Sequence, residues 1–257
     1  MSWQTLEVTV GPVTTVRLNR PGKRNAQTLE LWDELRRVGL ALEDDPAVRV
    51  VVVSGAGRSF SAGIDLNLLL GAGGPAALPP VELVQQAFTW LREARFATVA
   101  LVQGHAIGAG CQLALACDLR LAAEDAVFAV PEVSFGILPD LGGCAWLPRL
   151  VGEARAREMV LLGDRIDARQ ALAWGLVNRV VPGAELEQAG QALAERLAAQ
   201  PPLAVAAAKR ALAAAEVSSA EAIRVSAREV ERCLRSEDFS EAGRAAVERR
   251  RPRFAGR

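Results

Sequence analysis

Lysine is almost missing from this chain: it occurs only as Lys23 and Lys209, and arginine supplies nearly all of the positive charge. That bias reads as coding composition and not as mechanism. Net charge is missing too, since 30 basic residues balance 30 acidic ones, so the basic footprint of a nucleic-acid binder is absent. The four cysteines, Cys111, Cys117, Cys144 and Cys233, form no CxxC pair and no metal-ligand spacing. Free thiols in a reducing cytoplasm and no bound metal are therefore expected. No positively charged start leads into an apolar run, so no secretory signal is expected. The longest apolar runs are too short to span a bilayer, which argues against a membrane partner. What remains is a cytoplasmic protein of 257 residues, half of them hydrophobic, with enough chain for one full core.

The most informative stretch is Val99–Asp140. An apolar segment, Thr98–Val102, runs into a glycine-rich turn, and a helical pattern begins near Gly108. Glycine is needed where backbone must approach a ligand closely. The first turn of a helix leaves N–H groups without intrahelical partners, aimed at whatever lies beyond its end. Together they make a donor site for a developing negative oxygen, although a tight turn without a ligand fits the same residues. Downstream, Glu132 and Asp140 sit in apolar surroundings. A donor site with nearby acids suggests proton transfer beside a thioester or ester carbonyl. The spacing of Gly104, Gly108 and Gly110 does not match GxGxxG, so a dinucleotide fold is set aside.

In chain order, Leu6–Val10 and Val13–Leu18 predict a hairpin across Gly11-Pro12. A helix follows from Thr28, a candidate N-cap, to about Glu43. Val48–Ser54 is an unbroken β-branched run, the pattern of a strand buried on both faces. Gly71–Pro80, rich in Gly, Ala and Pro, predicts a mobile surface loop, and a helix is expected over Val81–Arg95. Further helices are predicted over Ala109–Ala116, Gly142–Leu150, Ala154–Leu161 and Ala168–Trp174. Strands are predicted near Leu119–Ala122, Ala126–Val130 and Leu176–Val181. From Ala184 to Arg250 the text is almost wholly helical, broken at Pro201-Pro202, Ser218-Ser219 and Ser236. The fold class is α/β: a β/α body followed by a helical tail, with no fixed-period repeat.

Ser59–Leu66 forms a second junction of small residues. Its plain reading is a loop with Asp65 at a helix start, where negative charge is favourable. If the two junctions met, each could present one backbone N–H to the same oxygen. Ser61-Ala62-Gly63-Ile64-Asp65-Leu66, Gly108-Ala109-Gly110-Cys111-Gln112-Leu113-Ala114 and Pro131-Glu132 resemble, in order, the signatures of the crotonase superfamily, the enoyl-CoA hydratase/isomerase family. The resemblance extends from Asn19-Arg20-Pro21 and Arg24-Asn25-Ala26 to Arg251-Pro252-Arg253-Phe254. It implies a crotonase (ClpP/crotonase-like) spiral of ββα units over residues 1–195, holding the acyl-CoA site. It also implies a C-terminal helical trimerisation region over 196–257, and a homotrimer or a hexamer built as a dimer of trimers. The expected substrate is an acyl-CoA thioester, with no cofactor beyond the CoA that the substrate carries.

Carried over by motif, the oxyanion donors are the N–H groups of Ile64 and Ala109. The resemblance places Ala62, Gly63, Asp65 and Leu66 on the adenine and pantetheine path, Arg24 and Ala26 near CoA, and Gly108 beside the donor. Hydratases that the chain resembles carry a glutamate after the glycine turn and another twenty residues later. Glu132 matches the second, and Gln112 stands in the place of the first, where it is expected to bind substrate by holding a water or a carbonyl. Glutamine cannot accept or return a proton at neutral pH, and losing a general acid/base costs about 10²–10⁴-fold. A double-bond shift needs one carboxylate, so isomerisation of an enoyl- or dienoyl-CoA through an enolate is favoured. The alternatives are a hydratase working with Glu132 alone and a non-catalytic acyl-CoA-binding protein.

Asp140, eight residues past Glu132, resembles the second acid of the dienoyl-CoA isomerase branch and the acid of ring-modifying isomerases. A dehalogenase branch with an acid there carries tryptophan at the place of Glu132 and is set aside. An N-cap role before Leu141-Gly142-Gly143 also fits Asp140; the motif match favours a pocket acid. His105, the only histidine, is expected to serve structure, and Cys111 to serve packing. Phe135 and Trp146 are expected in an apolar wall. Arg249–Arg251 with Phe254 fit either CoA phosphates and adenine or a solvated charge run.

Overall fold

The structure, a computed structural model, describes residues 3–70 and 79–257, so the loop expected over Gly71–Pro80 lies, except for its last two residues, outside them. Strands β1 (Leu6–Thr9) and β2 (Val13–Leu18) form the expected antiparallel hairpin, with Leu6 opposite Leu18. β3 (Val50–Gly55), β4 (Ala97–Val102), β6 (Leu119–Ala123) and β9 (Arg179–Val181) extend it in parallel, giving the order β1-β2-β3-β4-β6-β9. A second sheet contains β5 (His105–Ile107), β7 (Val127–Ala129) and β8 (Ile166–Asp167), in the order β5-β7-β8. The chain passes directly from β4 to β5 and from β6 to β7. Each pass drops a strand into both sheets before a helix follows, which produces the spiral.

The β-branched run behaves as its composition requires: Val50, Val51, Val52 and Val53 are all buried. One face meets α1 (Leu29–Glu43) and α3 (Val81–Glu93) in the main core; the other meets α8 (Leu186–Ala198) through Leu186 and Ala194. Thr28 caps α1, its hydroxyl accepting from Leu31 N–H at 3.3 Å. Leu31, Leu35, Val38 and Leu42 then fall on the core face at helical spacing. α4 (Ala109–Ala116) is buried along its whole length and runs through the centre. It has no polar face because it meets no solvent.

A short α2 (Leu66–Leu70) follows the second junction. After β7 come α5 (Gly143–Val151), α6 (Glu153–Leu162) and α7 (Ala168–Trp174). The tail comprises α9 (Pro202–Ala214), α10 (Ser219–Leu234) and α11 (Glu237–Glu248). Its breaks fall where proline and serine predict them, with Ser218 capping α10 and Ser236 capping α11. The domain boundary expected after residue 195 falls inside α8. The strand expected over Leu176–Val181 is confined to Arg179–Val181, because Leu176 and Val177 are buried in the turn after α7. Among the described residues no helix is long and apolar enough to cross a membrane.

Candidate active site

The two junctions meet. Ser61 pairs with Ala106 as a parallel bridge: its N–H donates to the His105 carbonyl at 2.8 Å, and its carbonyl accepts from Ile107 N–H at 3.1 Å. This contact requires glycine on both sides. A Cβ on Gly110 would run into the Ser61 carbonyl. Gly63 has φ +92°, and a Cβ there would lie 2.7 Å from the Ile107 carbonyl oxygen and 3.7 Å from the Ala109 nitrogen. Such a left-handed backbone is one that side chains rarely adopt.

Two N–H groups are left over by this pairing. Gln27 bridges to Ile64 from the other side: its N–H donates to the Gly63 carbonyl at 2.7 Å, and its carbonyl accepts from Asp65 N–H at 2.8 Å. A strand residue whose neighbours bond to one side turns its own N–H to the other. The Ile64 N–H is thereby directed away from Gln27. Ala109 is the first residue of α4, so its N–H has no intrahelical acceptor. The Gly108 N–H before it is occupied by the Ala129 carbonyl at 2.9 Å. Among the described residues neither Ile64 nor Ala109 donates its backbone N–H within the chain.

Glu132 opens a short 3₁₀ turn, Glu132–Phe135, that follows β7. Its carboxylate is buried, with Oε1 accepting from Gln112 Nε2 at 2.7 Å and Oε2 without a partner. The orientation of the Gln112 amide follows from its neighbours. Its oxygen accepts the Gly143 N–H at 2.9 Å, so its NH₂ must face Glu132. Burial pushes the Glu132 pKa up, the bond from Gln112 opposes that rise, and the charge of Asp140 adds to it. A buried carboxylate with one held oxygen and one unpartnered oxygen is equipped to exchange a proton.

A cavity of about 650 Å³ collects these groups. Of the predicted residues, Ala62, Gly63, Ile64, Asp65 and Leu66 of the Ser59–Leu66 junction line it together with Ala26, and Gly108, Ala109 and Glu132 line it from the side of the glycine turn. Asp65 is paired with Arg20 at 3.1 Å and also accepts the Asn67 N–H that opens α2. Phe135 and Ile137 add an exposed apolar wall. Lys23 and Arg165 also line the cavity, and neither belongs to the motifs that mark the other site residues. Lys23 had one signal, as one of two lysines in an arginine-rich chain; Arg165 had none.

Other predicted residues lie outside the lining. Arg24 is exposed, and its backbone carbonyl holds Ala62 N–H at 2.9 Å. Gln112 is buried behind Glu132, with both ends of its amide engaged. Asp140 is exposed before α5, and partial burial raises its pKa. The capping role considered for it is corrected: Gly142 is the α5 N-cap, and no side chain caps that helix. Trp146 packs in the buried apolar core. It turns away from this cavity toward α3, with the Arg92 guanidinium 5.8 Å from its ring.

His105 Nδ1 lies 3.2 Å from the Ser59 hydroxyl, and burial lowers its pKa. Burial pushes the Cys111 thiol up, which removes it as a thiolate. The C-terminal tail does not reach the cavity. Arg250 pairs with Glu241 at 3.0 Å, and the Phe254 carbonyl accepts from Arg49 at 2.9 Å. Among the described residues, no group of three or more His, Cys, Asp or Glu is placed to hold a metal ion.

A spiral of paired sheets with two inward N–H donors at the junctions between them defines the crotonase class. The family described as enoyl-CoA hydratase/isomerase matches residues 9–257. Carnitinyl-CoA dehydratase of Proteus mirabilis is 37% identical, covering 99% of both chains. The crystal structure of enoyl-CoA hydratase from Bacillus anthracis superposes with a TM-score of 0.92 at 31% identity, covering 99% of this chain and 100% of that one. A Thermobifida fusca YX protein solved in complex with CoA is 40% identical, with a TM-score of 0.83, covering 90% of this chain and 93% of that one. The chain belongs to the enoyl-CoA hydratase/isomerase family.

Proposed function

We propose that the chain moves a double bond along the acyl group of an enoyl- or dienoyl-CoA, with Glu132 as the proton carrier. The Ile64 and Ala109 N–H groups hold the thioester oxygen. Glu132 Oε2 takes a proton from C2; the C2–H electrons enter the C1–C2 bond, and negative charge moves onto that oxygen. Collapse of the enolate shifts the double bond from C3–C4 to C2–C3, and Glu132 returns its proton to C4. Proton number balances, with no water or co-reactant consumed. Gln112 carries this choice. It sits 2.7 Å from Glu132, twenty residues before it, as a proton-inert amide that favours the carboxylate form.

The cavity supports an acyl-CoA occupant. Ile64, Phe135 and Ile137 offer apolar surface for the acyl chain, and Lys23 and Arg165 are cations suited to phosphates. CoA bound to the Thermobifida fusca relative agrees with that assignment. We further propose a homotrimer or a dimer of trimers. Leu212, Val217, Ile223 and Val247 on and beside α9–α11 are each at least 70% exposed in the single chain, apolar surface that assembly would cover.

A second reading, hydration or dehydration, is favoured by the 37% identity with carnitinyl-CoA dehydratase. Against it, Gln112 is off the cavity wall and both ends of its amide are taken. Product analysis separates the two. A 3-enoyl-CoA should gain the absorbance of a conjugated 2-enoyl thioester, while crotonyl-CoA keeps its own. Crotonyl-CoA hydrated by the parent faster than 3-enoyl-CoA is isomerised would overturn the isomerase reading.

The pH profile carries its own signature. Glu132 must be ionised to accept the C2 proton, and burial raises its pKa. The acid limb of kcat/KM should therefore lie above the ordinary glutamate value, with activity rising through it as pH increases. Charge on Asp140 disfavours that ionisation. Asp140→Asn should move the limb to lower pH, which a kcat/KM titration reads directly.

A further inference from the structure

Gln27 is fully buried and does not line the cavity, yet its backbone and its side-chain nitrogen are engaged around the Ser61–Asp65 junction and its side-chain oxygen on α1. Its backbone brackets Ile64 through the bonds to Gly63 and Asp65. Its side-chain oxygen accepts from Trp32 Nε1 at 2.8 Å, which ties it to α1. Its side-chain nitrogen donates to the Ser61 hydroxyl at 3.3 Å. That hydroxyl in turn donates to the Asn25 carbonyl at 2.8 Å and accepts the Gly63 N–H at 3.3 Å. A closed circuit thus runs from Trp32 through Gln27 and Ser61 to Gly63, the residue before Ile64.

A leucine would fill the same buried volume without needing polar partners, so apolar packing does not call for an amide here. The amide does what leucine could not: through the Ser61 hydroxyl it holds the Gly63 N–H, fixing the Ala62–Gly63 peptide one residue before the Ile64 donor, while Gln27's backbone holds the Gly63 carbonyl. We infer that Gln27 is a positioning residue that aims the Ile64 N–H at the substrate oxygen. This inference rests on the oxyanion role given to Ile64 above. A donor that holds a developing charge is effective only when its direction is set before the reaction.

The test uses butyryl-CoA labelled with ¹³C at the thioester carbonyl, bound to the full chain, with infrared difference spectra and C2 proton exchange in D₂O. Binding to the parent should shift the carbonyl stretch to lower frequency. Gln27→Leu should lose a large part of that shift and slow exchange about tenfold or more, while the dissociation constant stays within about threefold. Gln27→Leu combined with Trp32→Phe removes the stranded indole N–H. The double variant should recover thermal stability without recovering exchange, and it carries the test if the single variant does not fold. Exchange recovered together with stability would overturn the inference, as would a carbonyl shift in Gln27→Leu equal to the parent's. No carbonyl shift in the parent would overturn the oxyanion reading itself.

Discussion

Glu132→Gln should reduce double-bond isomerisation by about 10²–10⁴-fold while CoA and acyl-CoA still bind. That corresponds to about 3–5 kcal/mol of lost transition-state stabilisation. The substitution keeps shape and can keep the Gln112 contact, since a glutamine oxygen at the Oε1 position still accepts from Gln112 Nε2. What it removes is a group that exchanges protons. The acid limb of the rate profile should vanish with it. Stability should move in the opposite direction. A glutamate whose pKa is raised by burial weakens the folded state as pH rises from its unfolded value through its folded one, and that weakening persists at neutral pH. Glu132→Gln escapes that penalty and should unfold no earlier than the parent. Turnover within threefold of the parent, on the order of experimental error for such a comparison, would remove Glu132 from the chemistry.

The second large effect is expected at Gly63→Ala. The added methyl group points at the Ile107 carbonyl, 2.7 Å away, from a backbone at φ +92°. It must push the Ser59–Leu66 junction off β5, the contact that sets Ile64 beside Ala109. Loss of one donor of an oxyanion pair costs about 10²–10³-fold in kcat, and that range is expected here. The two variants differ in the shape of the pH profile. Glu132 is untouched by Gly63→Ala, so its acid limb should stay in place beneath a lowered plateau. A rate near that of the parent would mean that the N–H pair does not hold the reacting oxygen.

Much of this architecture was legible in the residues themselves. Val50–Val53 announce a strand buried on both faces, and Thr28, Ser218 and Ser236 mark helix starts where hydroxyls cap them. β5 was hidden because His105–Ile107 is three residues long and pairs with Val127–Ala129 beyond an intervening helix and strand. Periodicity cannot reveal so short and non-local a pairing. The same limit hid the meeting of the junctions, which rests on Ser61 against Ala106.

Side-chain placement was the least legible. Gln112, expected on the substrate side, instead has its oxygen drawn away by the Gly143 N–H and sits behind Glu132. Arg24 was expected near CoA, but its neighbour Lys23 lines the cavity, in a turn where Arg24 and Asn25 both adopt positive φ. Left-handed backbone at two successive non-glycine residues is uncommon, and nothing in the composition foretells it.

C2 proton exchange in D₂O tests the central claim most directly, because it reports enolate formation whatever the final product. Deuterium should enter C2 of a saturated acyl-CoA in the presence of the parent, and incorporation should fall to background with Glu132→Gln. Tight acyl-CoA binding without deuterium incorporation by the parent, across short, long and aromatic acyl groups, would contradict the account and leave a binding protein on a catalytic fold.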